Sequence, residues 1–111
     1  MTTPFRASRD IIIRTHNWAE AVSFYGSTLG FPEVYRAENI VGFDVGAFRL
    51  YVEKGEAHGP VFEYLVPDVE QAVQKLVAAG CTLVEEDVSV PRCYVRDAYG
   101  MTFNVGKAGT S

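Results

Sequence analysis

The sequence predicts an α+β fold made of two βαβββ modules, a cupped mixed β-sheet with the helices on its outer face. Three observations carry this expectation. A strand-like alternation followed by a helical stripe occurs twice, with Asp68 standing 51 positions after Asn17. Each helical stripe ends on a glycine, Gly30 or Gly80. Three short strand-like runs then follow each helix. The 111 residues are expected to form a single domain, module one over about 8–55 and module two over about 60–106. A half of that size makes a poor core by itself, so the modules are expected to pair.

In order along the chain, Asp10-Ile-Ile-Ile-Arg-Thr-His-Asn17 places an apolar residue at every second position, the period of a half-buried strand. Trp18, Ala21, Val22 and Tyr25 follow at i, i+3, i+4 and i+7, one face of a helix. Asn17 and Glu20 are placed for a capping box at its start, and Gly30 for a left-handed C-terminal residue. Strands are expected near Val34–Ala37, Ile40–Val45 and Phe48–Glu53, with room for only a tight turn between the last two. The second module repeats this plan. Val61–Asp68 alternates, Val69, Ala72, Val73 and Leu76 form the stripe, and Asp68 with Gln71 forms the capping box. Strands are expected near Thr82–Glu86, Cys93–Arg96 and Met101–Val105, and Asp97-Ala-Tyr-Gly100 reads as a hairpin turn.

Composition bounds the function. A hydrophobic fraction of 48% and a charged fraction of 22% are those of a globular chain. The net charge of −4, with basic residues scattered singly, disfavours a nucleic-acid partner and leaves no electrostatic barrier to a neutral or cationic small molecule. No run is long enough for a membrane span, and no signal-peptide core precedes Ile11-Ile-Ile13, so a cytoplasmic protein without a membrane partner is expected. Cys81 and Cys93 lack ligand spacing and read as small buried thiols. His16 and His58 read as exposed loop residues. Ser23 and Ser89 lack the partners of a nucleophile, and no catalytic residue is assigned.

Asn17-Trp-Ala-Glu-Ala-Val-Ser-Phe-Tyr25 followed by Leu29-Gly-Phe31, Val66-Pro-Asp-Val69 running to Ala78-Ala-Gly80, and Asp97-Ala-Tyr-Gly100 resemble, in order, the vicinal oxygen chelate superfamily of glyoxalases, bleomycin-resistance proteins and extradiol dioxygenases. The turn has alanine where that family's wording has proline. Enzymes of the superfamily hold a divalent metal on first-strand and last-strand side chains, usually histidines and glutamates. By resemblance those positions fall here on Asp10, Tyr51, Val61 and Asn104. A valine cannot ligate, an amide is a poor zinc ligand, and a phenol of pKa ~10 is protonated at neutral pH. No metal or other cofactor is therefore expected.

Strand alternation further predicts which side chains line the cup. They are Asp10, Ile12 and Arg14; Arg49, Tyr51 and Glu53; Val61, Glu63 and Leu65; Tyr94 with Arg92; and Thr102 and Asn104. Ten of these, Asp10, Ile12, Arg14, Arg49, Tyr51, Val61, Glu63, Tyr94, Thr102 and Asn104, are the candidate ligand-binding set. Two readings stay open. Either Asp10, Arg14, Arg49 and Glu63 pair with one another in a solvated cleft, or the charges and the two tyrosines fix a polar, partly aromatic ligand. The resemblance implies a metal-free binding protein of the bleomycin-resistance type that sequesters a drug or metabolite, acting as a homodimer. The alternatives are a metal-dependent lyase, isomerase or dioxygenase of the glyoxalase type, and a dimerising protein without a ligand.

Overall fold

The computed structural model describes residues 5–109. Their order is β1 (Arg6–Ala7), β2 (Asp10–Thr15), α1 (Trp18–Ser23) continued by a π-helical turn (Phe24–Thr28), β3 (Glu33–Ala37), β4 (Ile40–Asp44), β5 (Arg49–Lys54), β6 (His58–Val66), α2 (Val69–Ala78), β7 (Thr82–Asp87), β8 (Arg92–Arg96) and β9 (Thr102–Lys107). This is an α+β fold in which the βαβββ succession occurs twice, as expected. The short strand β1 was not anticipated. It pairs antiparallel with β6 through Arg6–Leu65 and Ala7–Tyr64.

The described residues divide into two compact units, one of Arg9–Val61 and one of residues 5–8 with 62–109. In the first unit β5 is the hub of the sheet, parallel to β2 and antiparallel to β4, and β4 in turn pairs with β3. Strict alternation sends Val41, Phe43, Leu50 and Val52 to one face. There they pack with Ile11, Ile13, Trp18, Ala21, Val22 and Tyr25 of β2 and the helix. The Trp18 indole donates 2.8 Å to the Val52 carbonyl, tying the first turn of α1 to the sheet.

α1 departs from expectation at both ends. Asn17 makes no side-chain capping bond. Its own N–H donates to Thr15 Oγ1 instead (3.1 Å), so the expected capping box of Asn17 and Glu20 is not formed. The α-helical ladder widens after Ser23, with Leu29 N–H donating to the Phe24 carbonyl five residues back. Gly26-Ser-Thr28 has poor helix propensity, and Gly26 lies close on the core: a Cβ there would stand 3.3 Å from the Phe43 ring. Gly30 closes the segment at φ +76°, as its position suggested.

In the second unit β9 lies between β6, to which it is parallel, and β8, to which it is antiparallel; β7 pairs with β8. Val66, Cys93, Val95, Phe103 and Val105 form the core with Ala72, Val69, Val73 and Leu76 of α2. Here the helix start matches the expectation: the Asp68 carboxylate accepts from Gln71 N–H at 3.1 Å. Its end is a Schellman motif, with Gly80 N–H donating to the Val77 carbonyl and Cys81 N–H to that of Leu76, and Gly80 at φ +103°. The Asp97–Gly100 turn also forms as read. Asp97 Oδ1 accepts from Tyr99 N–H (2.9 Å) and Met101 N–H (3.0 Å).

Candidate functional site

In each unit the helix covers one face of the sheet, and the candidate residues stand on the other. In the first unit, register arranges that other face in rows. The middle row runs Tyr35, Gly42, Tyr51, Ile12 and Val61 across β3, β4, β5, β2 and β6. A second row runs Ala37, Ile40, Glu53, Arg14 and His58, and a third joins Asp44, Arg49 and Asp10. The apolar and aromatic row thus lies between two charged ones.

Two ion pairs form within the face. Arg49 Nε donates to Asp10 Oδ1 at 2.7 Å. Arg14 Nε lies 3.5 Å from Glu53 Oε1, both side chains about one-fifth exposed. Arg14 thus pairs with Glu53 on the neighbouring strand, a partner outside the expected set. Tyr51 leans across the sheet over Gly42, where a Cβ would come within 2.7 Å of its ring. Its ring meets that of Tyr35 edge-on, centroids 6.0 Å apart.

One expectation about His58 is corrected. It is the first residue of β6, half-buried, and not an exposed loop residue; His16 is exposed. Three positions separate His58 from Val61, and an odd offset in a regular strand puts two side chains on opposite faces. A bulge at Gly59-Pro60 absorbs the extra residue, so that Val61 stands opposite Ile12 and His58 opposite Arg14, on one face. Gly59 makes this possible: its φ is +104°, and a Cβ there would lie 2.8 Å from the Ile12 carbonyl oxygen.

In the second unit the helix-free face carries Glu63, Tyr94, Thr102 and Asn104. Asn104 is opposite Tyr94 on one side and Glu63 on the other. Its amide Nδ2 donates to Glu63 Oε2 (2.8 Å), and its Oδ1 accepts from Cys93 N–H (2.7 Å). The β8–β9 register ends at this pair, so the Asn104 side chain takes up a backbone donor beyond the ladder. Gly106 leaves room for the Glu63 carboxylate, since a Cβ there would stand 2.9 Å from Oε2. Arg92 lies over the Tyr94 ring at 5.2 Å and bonds Glu85 at 3.2 Å. Tyr94 is buried, 2% exposed, and Thr102 half-buried.

The four positions that the family resemblance assigns to metal ligands do not fit a divalent ion. Asp10 is engaged by Arg49, the Tyr51 phenol lies over Gly42, Val61 offers no donor atom, and the Asn104 oxygen already accepts a backbone N–H. Among the described residues no three His, Cys, Asp or Glu side chains gather into a metal-binding group. Nucleophilic chemistry at Cys93 is also disfavoured. Burial, reinforced by the negative charge of Glu86, pushes its thiol up and keeps it protonated. Cys81 is half-buried, less so than expected. A pocket of about 190 Å³ lies away from these faces, lined by Phe5, Val66, Pro67, Asp68, Gln71, Ala72 and Lys75. It is below the roughly 300–1,000 Å³ of usual small-molecule sites.

The repeated βαβββ plan defines the class, the vicinal oxygen chelate superfamily. The family model of the glyoxalase-like domain matches residues 10–106, and the chain belongs to that family. No curated protein matches the sequence. Among solved structures, a hypothetical protein from Bacillus halodurans C-125 is similar in fold at 10% identity, with a TM-score of 0.72 and 98% of each chain covered. An extradiol ring-cleaving dioxygenase from B. fuscum is similar at 20% identity and a TM-score of 0.67. That match covers 95% of this chain and 33% of the dioxygenase, so the chain spans about a third of that enzyme's length. Homoprotocatechuate 2,3-dioxygenase from Brevibacterium fuscum, in complex with 3,4-dihydroxyphenylacetate, is similar at 19% identity and a TM-score of 0.64, covering 92% of this chain and 36% of that one. These likenesses concern the fold.

Proposed function

We propose that this glyoxalase-like chain is a metal-free small-molecule-binding protein that sequesters a drug or metabolite. In this reading it works in the cytoplasm as a homodimer, and it draws its ligand contacts from the helix-free faces of its sheets. The contacts are Asp10, Ile12, Arg14, Arg49, Tyr51 and Val61 in the first unit and Glu63, Tyr94, Thr102 and Asn104 in the second. The observation that carries the reading is the donor set at the family's metal positions: one carboxylate already in a 2.7 Å ion pair, one phenol, one valine and one amide committed to two partners. Absence of ligating chemistry at those four positions, on a sheet face that is polar and aromatic, favours binding over metal-assisted turnover. Among the described residues no helix is long and apolar enough to cross a membrane.

A thermal-shift screen of antibiotics and aromatic metabolites tests this. A ligand at a hundredfold excess over its Kd stabilises the fold by about 2.7 kcal/mol, a shift on the order of ten degrees for a domain of this size. The ligand so found is then titrated into Tyr51→Phe and Tyr51→Ala. A contact tyrosine loses affinity in both, the alanine variant by the larger amount, on the order of 1–3 kcal/mol. Unchanged affinity in both variants removes Tyr51 from the site.

A further inference from the structure

We propose that the helix-free face of the first unit is a stacking shelf for a planar aromatic ligand that is cationic or neutral, and that Tyr35 and Gly42 belong to it. This inference rests on the small-molecule-binding reading above and specifies its ligand class. It adds two residues that the candidate set did not include.

The shelf is built by Gly42. β4 places this residue directly between Tyr35 of β3 and Tyr51 of β5. A side chain there would collide with Tyr51 and crowd Tyr35: a Cβ would lie 2.7 and 2.9 Å from Tyr51 Cε1 and Cδ1, and 3.2 Å from Tyr35 Cβ. Without one, the Tyr51 ring reclines across β4 and meets Tyr35 edge-on at 6.0 Å and 62°. Two rings in edge contact, with half-buried Ile12 continuing the row, make a run of apolar and π surface across β3, β4, β5 and β2, and buried Val61 closes its end. Tyr35 is half exposed. Planar rings gain most from such a surface, because offset-stacked and edge-on contacts both add to area burial.

Charge complementarity selects the sign. The row beside the tyrosines that contains Arg49 holds two carboxylates, Asp10 and Asp44, against that one guanidinium. On the other side Glu53 is balanced by Arg14. Arg9, which donates to the Gly46 and Ala47 carbonyls beside Asp44, brings a second guanidinium near that row, so the sign is set by the −4 of the whole chain. A planar cation gains from that field and from the faces of the tyrosines, whereas a planar anion meets repulsion.

Three probes separate the possibilities: proflavine, a planar cation; 9-anthracenecarboxylate, a planar anion; and tetrapropylammonium, a cation without a ring. Each is titrated into the parent chain and into Tyr35→Phe, Tyr35→Ala and Gly42→Ala, with melting temperature recorded for every variant. Proflavine is expected to bind at least about tenfold more tightly than either of the others. Its affinity is expected to hold within about twofold in Tyr35→Phe and to fall about tenfold in Tyr35→Ala, the loss of one aromatic contact. Gly42→Ala is expected to weaken it by a similar factor by lifting the Tyr51 ring. Tyr35 is half exposed, so its variants keep the test valid if Gly42→Ala fails to fold. Proflavine binding unaltered by Tyr35→Ala overturns the shelf. Tighter binding of the anion or of tetrapropylammonium overturns the ligand class while leaving small-molecule binding standing. Failure of all three probes and of every compound in the thermal-shift screen removes both.

Discussion

Asn104 holds two partners with one amide, and this makes it the most informative single side chain of the second unit. Its Oδ1 satisfies Cys93 N–H and its Nδ2 the Glu63 carboxylate. Asn104→Ala leaves both groups without that partner in a half-buried place, and is expected to cost about 1–3 kcal/mol in urea unfolding. Asn104→Asp replaces the donor with a second carboxylate beside Glu63. Repulsion raises the pKa of that carboxyl pair in the folded state, so the variant is near the parent in acid, where a shared proton restores the donor, and falls behind as pH rises towards neutrality. A pH-independent deficit contradicts this account of the pair. At this scale, strict period-two alternation made the candidate faces legible in the sequence: Leu50 and Val52 are buried on the helix side, and Tyr51 between them is on the other. His58 was not legible. Its facing depends on a bulge at Gly59-Pro60, which period-two alternation does not reveal, although a glycine and proline inside a strand are themselves a bulge signal.

The two helices began from nearly the same sequence cue and ended differently. Asp68 is extended (φ −139°, ψ 106°) and reaches Gln71 N–H, whereas Asn17 has φ −84°, ψ 47° and makes no capping bond. Short polar side chains compete for local backbone groups, and here the Thr15 hydroxyl accepts from the Asn17 N–H. Asp68→Ala is accordingly expected to lower stability by about 1 kcal/mol, and Asn17→Ala by no more than about 0.5. Equal losses, measured by denaturant unfolding, would show that the two ends are capped alike. The π-helical turn at Phe24–Thr28 was missed for a similar reason. The apolar stripe from Trp18 to Tyr25 is consistent with either helix, and the residue that Gly26 lies close to, Phe43, where a Cβ would stand 3.3 Å from the ring, is far away in sequence. The two-residue strand β1 is too short to show any period.

For the molecule as a whole, the repeat was the legible part, because a hydrophobic pattern written twice specifies the same elements twice. The ligand was not, since the proposed roles of Tyr35 and Gly42 rest on contacts that register creates and alternation alone does not reveal. The sheets also leave edges: β3 pairs only with β4 and β7 only with β8 among the described strands, and β3 presents exposed Val34 and Tyr35. Such edges invite a second copy, and the proposed homodimer is expected to scatter light with twice the 12.3 kDa of one chain at micromolar concentration. A mass of one chain throughout that range would remove the dimer from the reading.

The central claim is that the superfamily's metal chemistry is absent from this chain, and the metal content of the purified protein tests it most directly. Cells are grown with zinc, iron, nickel and manganese supplied, the protein is isolated without chelators, and each metal is counted per chain by plasma mass spectrometry. With Asp10 held by Arg49 and Asn104 by Cys93 N–H and Glu63, every one of these metals is expected far below one ion per chain. One ion of any of them per chain would contradict the account and restore a lyase, isomerase or dioxygenase as the reading to pursue.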